Sequence, residues 1–410
     1  MLLSRHGPLL PLATFAASVG VAFLFLHGIE GIGLLSTGWT AQYRIDLDVY
    51  RQAAQAWLTG RPLYTEVFPT GYGEPLPFVY PPIAAVLFVP LTSVPMPLAA
   101  TLLTVVSAAL VPVVGAAMQR AVGRPVRARW LAAATPVVLL TDPVRLVLFL
   151  GQVNILLVGL VAAGLLARGA FWDRWRGVPI GLAAAVKLTP LVFVVWLVMR
   201  GDRRGAVVAL ATFAASIVLG AVLAPADSVA FWSERLSGVG IPLDLGYVEN
   251  QSLRGILVRS GATGTVTIGL WCVAAAAVGA AALVLARRCI REGFPLVGAA
   301  VLAVAGALVS PISWSHHWVW VLAFGPVLVE HARRSRSRAL CGVLLAGVPL
   351  FAIGPHWLVR NGSGGVLDQL VAANLPLWGL AVLVAIAWSL RRDTVAERHP
   401  TAAGRVRGRP

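Results

Sequence analysis

Charge is what this chain has least of. Only 12% of its 410 residues are Asp, Glu, Lys or Arg, where a soluble domain carries about a quarter. That excludes an ordinary soluble enzyme. Lysine is nearly missing: Lys187 stands alone, and almost every other cation is arginine. Such a bias accompanies a GC-rich genome and carries no mechanism by itself. Cysteine is also sparse. Cys272, Cys289 and Cys341 lie in or beside apolar segments, which excludes a disulfide framework and a C-x-x-C metal site.

What fills the chain instead is apolar, at 58% of residues. Runs close to the roughly 20 residues that span a bilayer recur along its whole length. Short alternating segments of the barrel type are absent, so the expected fold is an all-α polytopic membrane protein. The net charge of +16 does not point to nucleic acid. Its arginines cluster in short connections, at Arg120–Arg129, Arg168–Arg176, Arg200–Arg204, Arg287–Arg291, Arg333–Arg338 and the tail Arg391–Arg409. Positive-inside topology produces this distribution.

Expected spans are roughly 9–30, 97–119, 127–141, 145–167, 205–224, 264–286, 294–310, 315–331, 337–354 and 370–390. The first is read as an uncleaved span, because the run is too long for a signal peptide. Two further apolar stretches, 80–95 and 177–199, contain prolines that break a straight helix. All six basic segments fall on one side only if both stretches enter and leave on the same side. The expectation is ten crossings, or twelve if both stretches cross fully. Both termini are then cytoplasmic, in one domain over 1–392 followed by a disordered basic tail over 393–410. The long, chemically varied loops lie outside, and eight of the 17 acidic residues sit in two of them, 37–79 and 225–263.

The first of these loops carries Asp46 and Asp48. In an extended segment they share a face; in a helix they diverge by about 200°. Val49, Ala53, Ala56 and Trp57 fit a short amphipathic helix, so Asp46 is either its N-cap or a general base for an acceptor hydroxyl. A hard cation needs more oxygen ligands than this pair supplies, and no metal is expected. Tyr80, in P-F-V-Y-P-P, lies either in a rigid turn or on a sugar pocket. Gln152 and Asn154, in G-Q-V-N, fall near the outer end of an apolar span. There they serve as interhelical glue or as contacts to a polar substrate. Lys187, in K-L-T-P, is an intramembrane cation and so a functional candidate, although its segment is expected nearer the inner side. Asn250, Gln251 and Arg254, in N-Q-S-L-R, occupy the second long loop, where an arginine fork suits a phosphate. Trp314, His316 and His317, in S-P-I-S-W-S-H-H, join two spans. They lack the partner spacing of a zinc site, and a histidine there can donate to a phosphate or shuttle a proton.

Taken in order, D-L-D-V-Y-R, G-R-P-L-Y, F-V-Y-P-P, G-Q-V-N, K-L-T-P, E-N-Q-S-L-R-G and S-P-I-S-W-S-H-H resemble glycosyltransferase family 87. These are polyprenol-phosphate-mannose-dependent α-(1→2)-mannosyltransferases of the GT-C superfamily, and the resemblance runs from about residue 8 to 392. It implies a GT-C bundle of 10–12 spans with a short amphipathic helix in the first outer loop. It also implies transfer of mannose from a polyprenyl phosphate to a glycolipid or lipoglycan at the outer face of the plasma membrane, with no nucleotide sugar and no cofactor. The family's catalytic aspartate maps to Asp46, with Asp48 as second choice. Its histidine motif maps to His316 and His317, and Tyr50 falls within the D-L-D-V-Y-R motif as a substrate contact. A β-linked donor and an α-linked product imply inversion by direct displacement, the departing phosphate being met by Lys187, Arg254, His316 or His317. The competing expectations are transfer of another polyprenyl-phosphate sugar, such as arabinose, and a transporter or lipid flippase.

Overall fold

The structure is a computed structural model that describes residues 44–65, 67–71, 75–234, 243–359 and 365–398, with 16, 17 and 20. For 392–398 it describes the backbone alone. The expected first span at 9–30 therefore lies almost wholly outside the described residues, as does the tail beyond 398.

In chain order the helices are α1 (Ile45–Leu58), α2 (Pro82–Leu87), α3 (Val89–Thr92), α4 (Met96–Ala121), α5 (Ala128–Leu139), α6 (Asp142–Leu150), α7 (Asn154–Leu166), α8 (Ala170–Trp175), α9 (Gly177–Val186) and α10 (Val192–Met199). They continue as α11 (Arg203–Leu223), α12 (Pro225–Ser233), α13 (Leu253–Arg259), α14 (Gly264–Arg291), α15 (Pro295–Val309), α16 (Val319–Arg334), α17 (Arg338–Ile353), α18 (Val366–Ala372) and α19 (Asn374–Arg398). Between α1 and α2, Val67–Phe68 and Leu76–Pro77 pair antiparallel as β1 and β2. The all-α expectation holds.

Long apolar helices are fewer than hydropathy implies. Among the described residues four (α4, α11, α14 and α19 as far as Arg391) are long and apolar enough to cross a membrane. A fifth is possible if α5 and α6, bent by 67° at their junction, count as one span. The other apolar segments are shorter helices or broken ones, because a polar or glycine residue interrupts each run. The expected span 145–167 is one such case. It splits at Gly151, whose φ of +71° ends α6 in a conformation that favours glycine. G-Q-V-N therefore occupies a break between helices and not the interior of a span.

Neither proline-bearing stretch forms a single helix long enough to span a bilayer. The stretch 80–95 forms only α2 and α3, helices of six and four residues, too short to traverse about 30 Å of hydrocarbon. The stretch 177–199 is a hairpin. Arg176 at its start is 3.3 Å from Asp202 at its end. Gly177 lies against the backbone of Gly205 and Ala209, and Gly181 against Ala209 and Thr212, so α9 runs parallel to α11 while α10 returns. A Cβ at Gly177 would come within 2.2 Å of the Gly205 carbonyl oxygen. Small residues here permit the close helix contact typical of membrane proteins. Lys187 sits at the hairpin's tip.

The basic connections gather at one end of the bundle. Arg124 is 3.5 Å from Glu330, and Arg334 donates to the Val122 carbonyl at 2.5 Å. Arg288 donates to Leu390 O, Trp196 to Pro295 O, and Phe294 packs on His331. The opposite end holds α1, the β-hairpin and the loops. There Trp57 donates to Leu223 O, Leu63 N–H to Asp227, and Trp357 to Asp142. At the centre stands α15, apolar all round and buried on nearly every side, whereas α14 exposes most of its surface as a lipid-facing helix does.

Candidate active site

The segment I-D-L-D-V-Y-R-Q-A-A-Q-A-W-L has no glycine or proline, so α1 runs unbroken until Thr59–Gly60, where Gly60 turns at φ +69°. Its apolar face packs against the protein. Ile45, Leu47, Val49, Tyr50, Ala53, Ala54 and Ala56 are all buried in the protein. Arg44 occupies the N-cap position and Asp46 lies in the first turn, so Asp46 is not the cap. Arg44 instead donates to the Phe149 carbonyl at the end of α6, at 2.6 Å. That contact and Gly151 bring α1 against the α6–α7 break: a Cβ on Gly151 would meet Leu47 Cβ at 2.7 Å.

The helical turn separates the two carboxylates. Asp48 accepts from the Gly71 N–H at 2.9 Å and holds the loop that carries the β-hairpin. Asp46 faces inward, where the Gln152 side chain acts on its carboxyl and favours the charged form. Gln152 Oε1 is engaged by Tyr50 OH at 2.7 Å and Tyr80 OH at 3.1 Å, and the phenols are 2.7 Å from each other. With its oxygen so occupied, Gln152 presents its NH2 to the carboxylate. Tyr50, Tyr80 and Gln152, expected to touch substrate, thus form a buried network that orients Asp46. Burial raises the Asp46 carboxyl to about 6, against the opposing influence of His316, Gln152 and Lys187.

Lys187 does not sit nearer the basic end, contrary to expectation. The hairpin lifts it to Asp46's neighbourhood, where its ammonium lies 2.7 Å from His317 Nε2, 3.2 Å from Asn154 Oδ1 and 5.7 Å from the Tyr80 ring centroid. A lysine ammonium has only donors to offer, so His317 Nε2 is the acceptor for Lys187. Burial and the lysine charge push the His317 imidazole well below its usual range. Asn154, Lys187 and His317 line a cavity whose remaining wall includes Val192, Phe193 and Trp320.

The loop before α13 behaves differently from expectation. Asn250 donates to Leu245 O at 2.9 Å, accepts from Ser313 N–H at 3.1 Å, and its backbone bridges to Trp314. Gln251 donates to both Val248 O and Ala372 O at 2.6 Å. Both are fully buried and fully engaged, so they clamp this loop to the S-P-I-S-W-S-H-H turn and are not free for substrate. Trp314 forms part of that clamp, edge-on to Tyr247. Arg254 is buried over the Trp271 ring at 5.5 Å, and its Nε has no hydrogen-bond partner among the described residues.

Glu249 is the residue the sequence reading passed over. Its Oε1 lies 2.9 Å from His316 Nδ1 and 3.4 Å from Ser315 Oγ. Burial, together with the nearby Asp142 charge, raises its carboxyl to about 8, and burial lowers His316 to about 3. Burial thus opposes charge on either member of the pair. Glu249 heads the E-N-Q-S-L-R-G motif, but its separation of 67 positions from His316 hid the pairing. Among the described residues no group of three or more His, Cys, Asp or Glu side chains is placed to hold a metal ion.

Chemically, then, a carboxylate, a cation in a largely apolar setting and two histidines lie within electrostatic reach of one another, and of these Lys187 and His317 line the cavity. Curated relatives carry enzymes of one type. A Mycobacterium tuberculosis protein named polyprenol-phosphate-mannose-dependent alpha-(1-2)-phosphatidylinositol mannoside mannosyltransferase is 34% identical over 403 residues, covering 93% of this chain and 94% of that protein. Its Mycolicibacterium smegmatis namesake is 34% identical over 399 residues, covering 90% of each. A second M. tuberculosis protein, named for phosphatidylinositol pentamannoside, is 31% identical over 363 residues, 87% of this chain and 82% of that protein. Residues 78–311 match glycosyltransferase family 87, and with these relatives along nearly its full length the chain is a membrane glycosyltransferase belonging to that family.

Proposed function

We propose that the protein transfers mannose from a polyprenyl-phosphate-mannose donor to a phosphatidylinositol-mannoside-type glycolipid, with Asp46 as the base. The observation that carries this reading is the placement of Asp46, oriented by Gln152, beside Lys187 in a site that shares Asn154 and His317 with an apolar-walled cavity. Asp46 takes the proton from an acceptor hydroxyl as that oxygen bonds to the anomeric carbon. The bond from that carbon to the phosphate oxygen breaks on the opposite face, which inverts the centre. Charge grows on the departing lipid phosphate, and Lys187, whose charge acts on Asp46, is the cation placed to receive it. The polar and apolar lining suits a phosphate head joined to a prenyl chain.

Relatives named for mannose and phosphatidylinositol mannosides support this donor and acceptor over arabinose. Family membership disposes of the transporter reading. The test is label transfer in washed membranes. Radiolabelled polyprenyl-phosphate-mannose is expected to label phosphatidylinositol mannosides, and the arabinose donor is not. Label from arabinose alone overturns the sugar assignment.

The basic end faces the cytoplasm in this reading, by the positive-inside rule, and the active site opens on the extracytoplasmic side with both termini inside. Thr65 and Arg127 are exposed at opposite ends. In a chain with Cys272 and Cys341 replaced by Ser, Thr65→Cys is expected to react with a membrane-impermeant maleimide in intact cells. Arg127→Cys reacts only after lysis. The reverse pattern inverts the topology.

A further inference from the structure

The site holds a polar group that the displacement above leaves idle. His316 is 2% exposed, and its Nε2 has no hydrogen-bond partner among the described residues. A buried ring nitrogen left unpaired costs stability unless something binds it. The opposite ring nitrogen is fixed: Nδ1 is 2.9 Å from Glu249 Oε1, and Glu249 is itself anchored by Ser315 Oγ at 3.4 Å. The neighbouring His317 ring packs perpendicular to it, with centroids 4.7 Å apart. Asp46, Lys187 and Asp142 are the charged groups that act on His316 from the packed elements around it.

We infer that Glu249 is a positioning residue, which fixes His316 through Nδ1 so that Nε2 is presented to the substrate beside Asp46. The ligand that suits Nε2 is a sugar hydroxyl or a phosphate oxygen of the reacting pair; both exchange a hydrogen bond with an imidazole nitrogen. A carboxyl group hydrogen-bonded behind a histidine is a general means of setting which nitrogen points at the reaction. Here the two partners come from different loops. The clamp made by Asn250 and Gln251, on the residues immediately after Glu249, therefore acquires a purpose: it holds the Glu249 loop in register with the His316 turn.

This rests on the proposed transfer reaction but separates from it experimentally. The full-length protein is assayed in membranes with polyprenyl-phosphate-mannose and a phosphatidylinositol mannoside, as wild type, Glu249→Gln, His316→Ala and the double variant. Glu249→Gln is expected to lower kcat by about 10²-fold, with KM for the donor within about threefold. The double variant is expected to be no worse than His316→Ala alone, because Glu249 acts only through that ring. Glu249→Asp, which keeps the carboxyl group on a shorter stem, recovers part of the loss. Wild-type kcat in Glu249→Gln, or losses that multiply in the double variant, overturns the inference. A folding defect in Glu249→Gln, read from detergent-extracted yield, is set apart by the His316→Ala background: there a structural Glu249 still lowers yield and activity, and a positioning one does not. Asp46→Asn reports on the base independently, so either idea can fall while the other stands.

Discussion

Asp46→Asn loses mannosyl transfer by about 10²- to 10⁴-fold, the range a general base contributes, while the protein still inserts and folds. The amide has the carboxylate's shape, and its oxygen still accepts from Gln152, so the network of Gln152, Tyr50 and Tyr80 persists. What disappears is basicity. Asp48→Asn serves as the control. Its side chain holds the Gly71 amide away from the pocket, and transfer is expected within about threefold of wild type. The wild type adds a second signature. Asp46 acts only when ionised, and burial raises its carboxyl to about 6. Below that value kcat/KM is expected to fall about tenfold per pH unit; above it this limb is flat. Measurement of label transfer from pH 4.5 to 8 checks both. Near-normal transfer by Asp46→Asn removes the residue from the role.

The second large effect belongs to the lone lysine. Lys187→Met keeps most of the length and apolar stem of the side chain but removes the charge. Loss of one group that stabilises developing charge in a water-poor site costs about 10²- to 10³-fold, and kcat/KM for the lipid donor is expected to fall by that factor. Thermal stability in detergent stays level or rises, because a cation among apolar walls is costly to keep. Lys187→Arg restores only part of the rate. Its rigid fork does not fit the 2.7 Å and 3.2 Å contacts to His317 and Asn154 that suit an ammonium. Turnover by Lys187→Met within about threefold of wild type would move the phosphate contact elsewhere, and Arg254 would be the next residue to vary.

Much of this was legible in the sequence, for reasons that particular residues make clear. Scarce charge and long apolar runs announced a polytopic helical protein, and arginine clusters marked one end of the bundle. Asp46 stood out because a carboxylate is costly there. Prolines flagged 80–95 and 177–199 as interrupted, and the Arg176–Asp202 contact closes the second into a hairpin. Hydropathy failed on span length because it sums composition and does not see a break such as Gly151. It placed Lys187 too near the basic end for the same reason, since a reading along the chain assigns depth by distance from the nearest arginine. Glu249 was passed over because its importance is a contact across 67 residues. Asn250 and Gln251 were polar and close to Glu249, but their partners are backbone groups, which no side-chain pattern reveals.

The hairpin of α9 and α10 has a consequence for what this gene can tolerate. Its tip is reached from one shore only, so the depth of Lys187 equals a count of residues: the ten helical residues Gly177–Val186, rising about 1.5 Å each. Adding or deleting a single residue there would shift the ammonium by that step and swing it about 100° around the helix, out of line with His317. Insertions in the remote loops leave this ruler unchanged. Length variation along the chain should therefore be penalised most where the polypeptide has no polar motif at all, in the plain alanine-rich run that sets how far the charge extends.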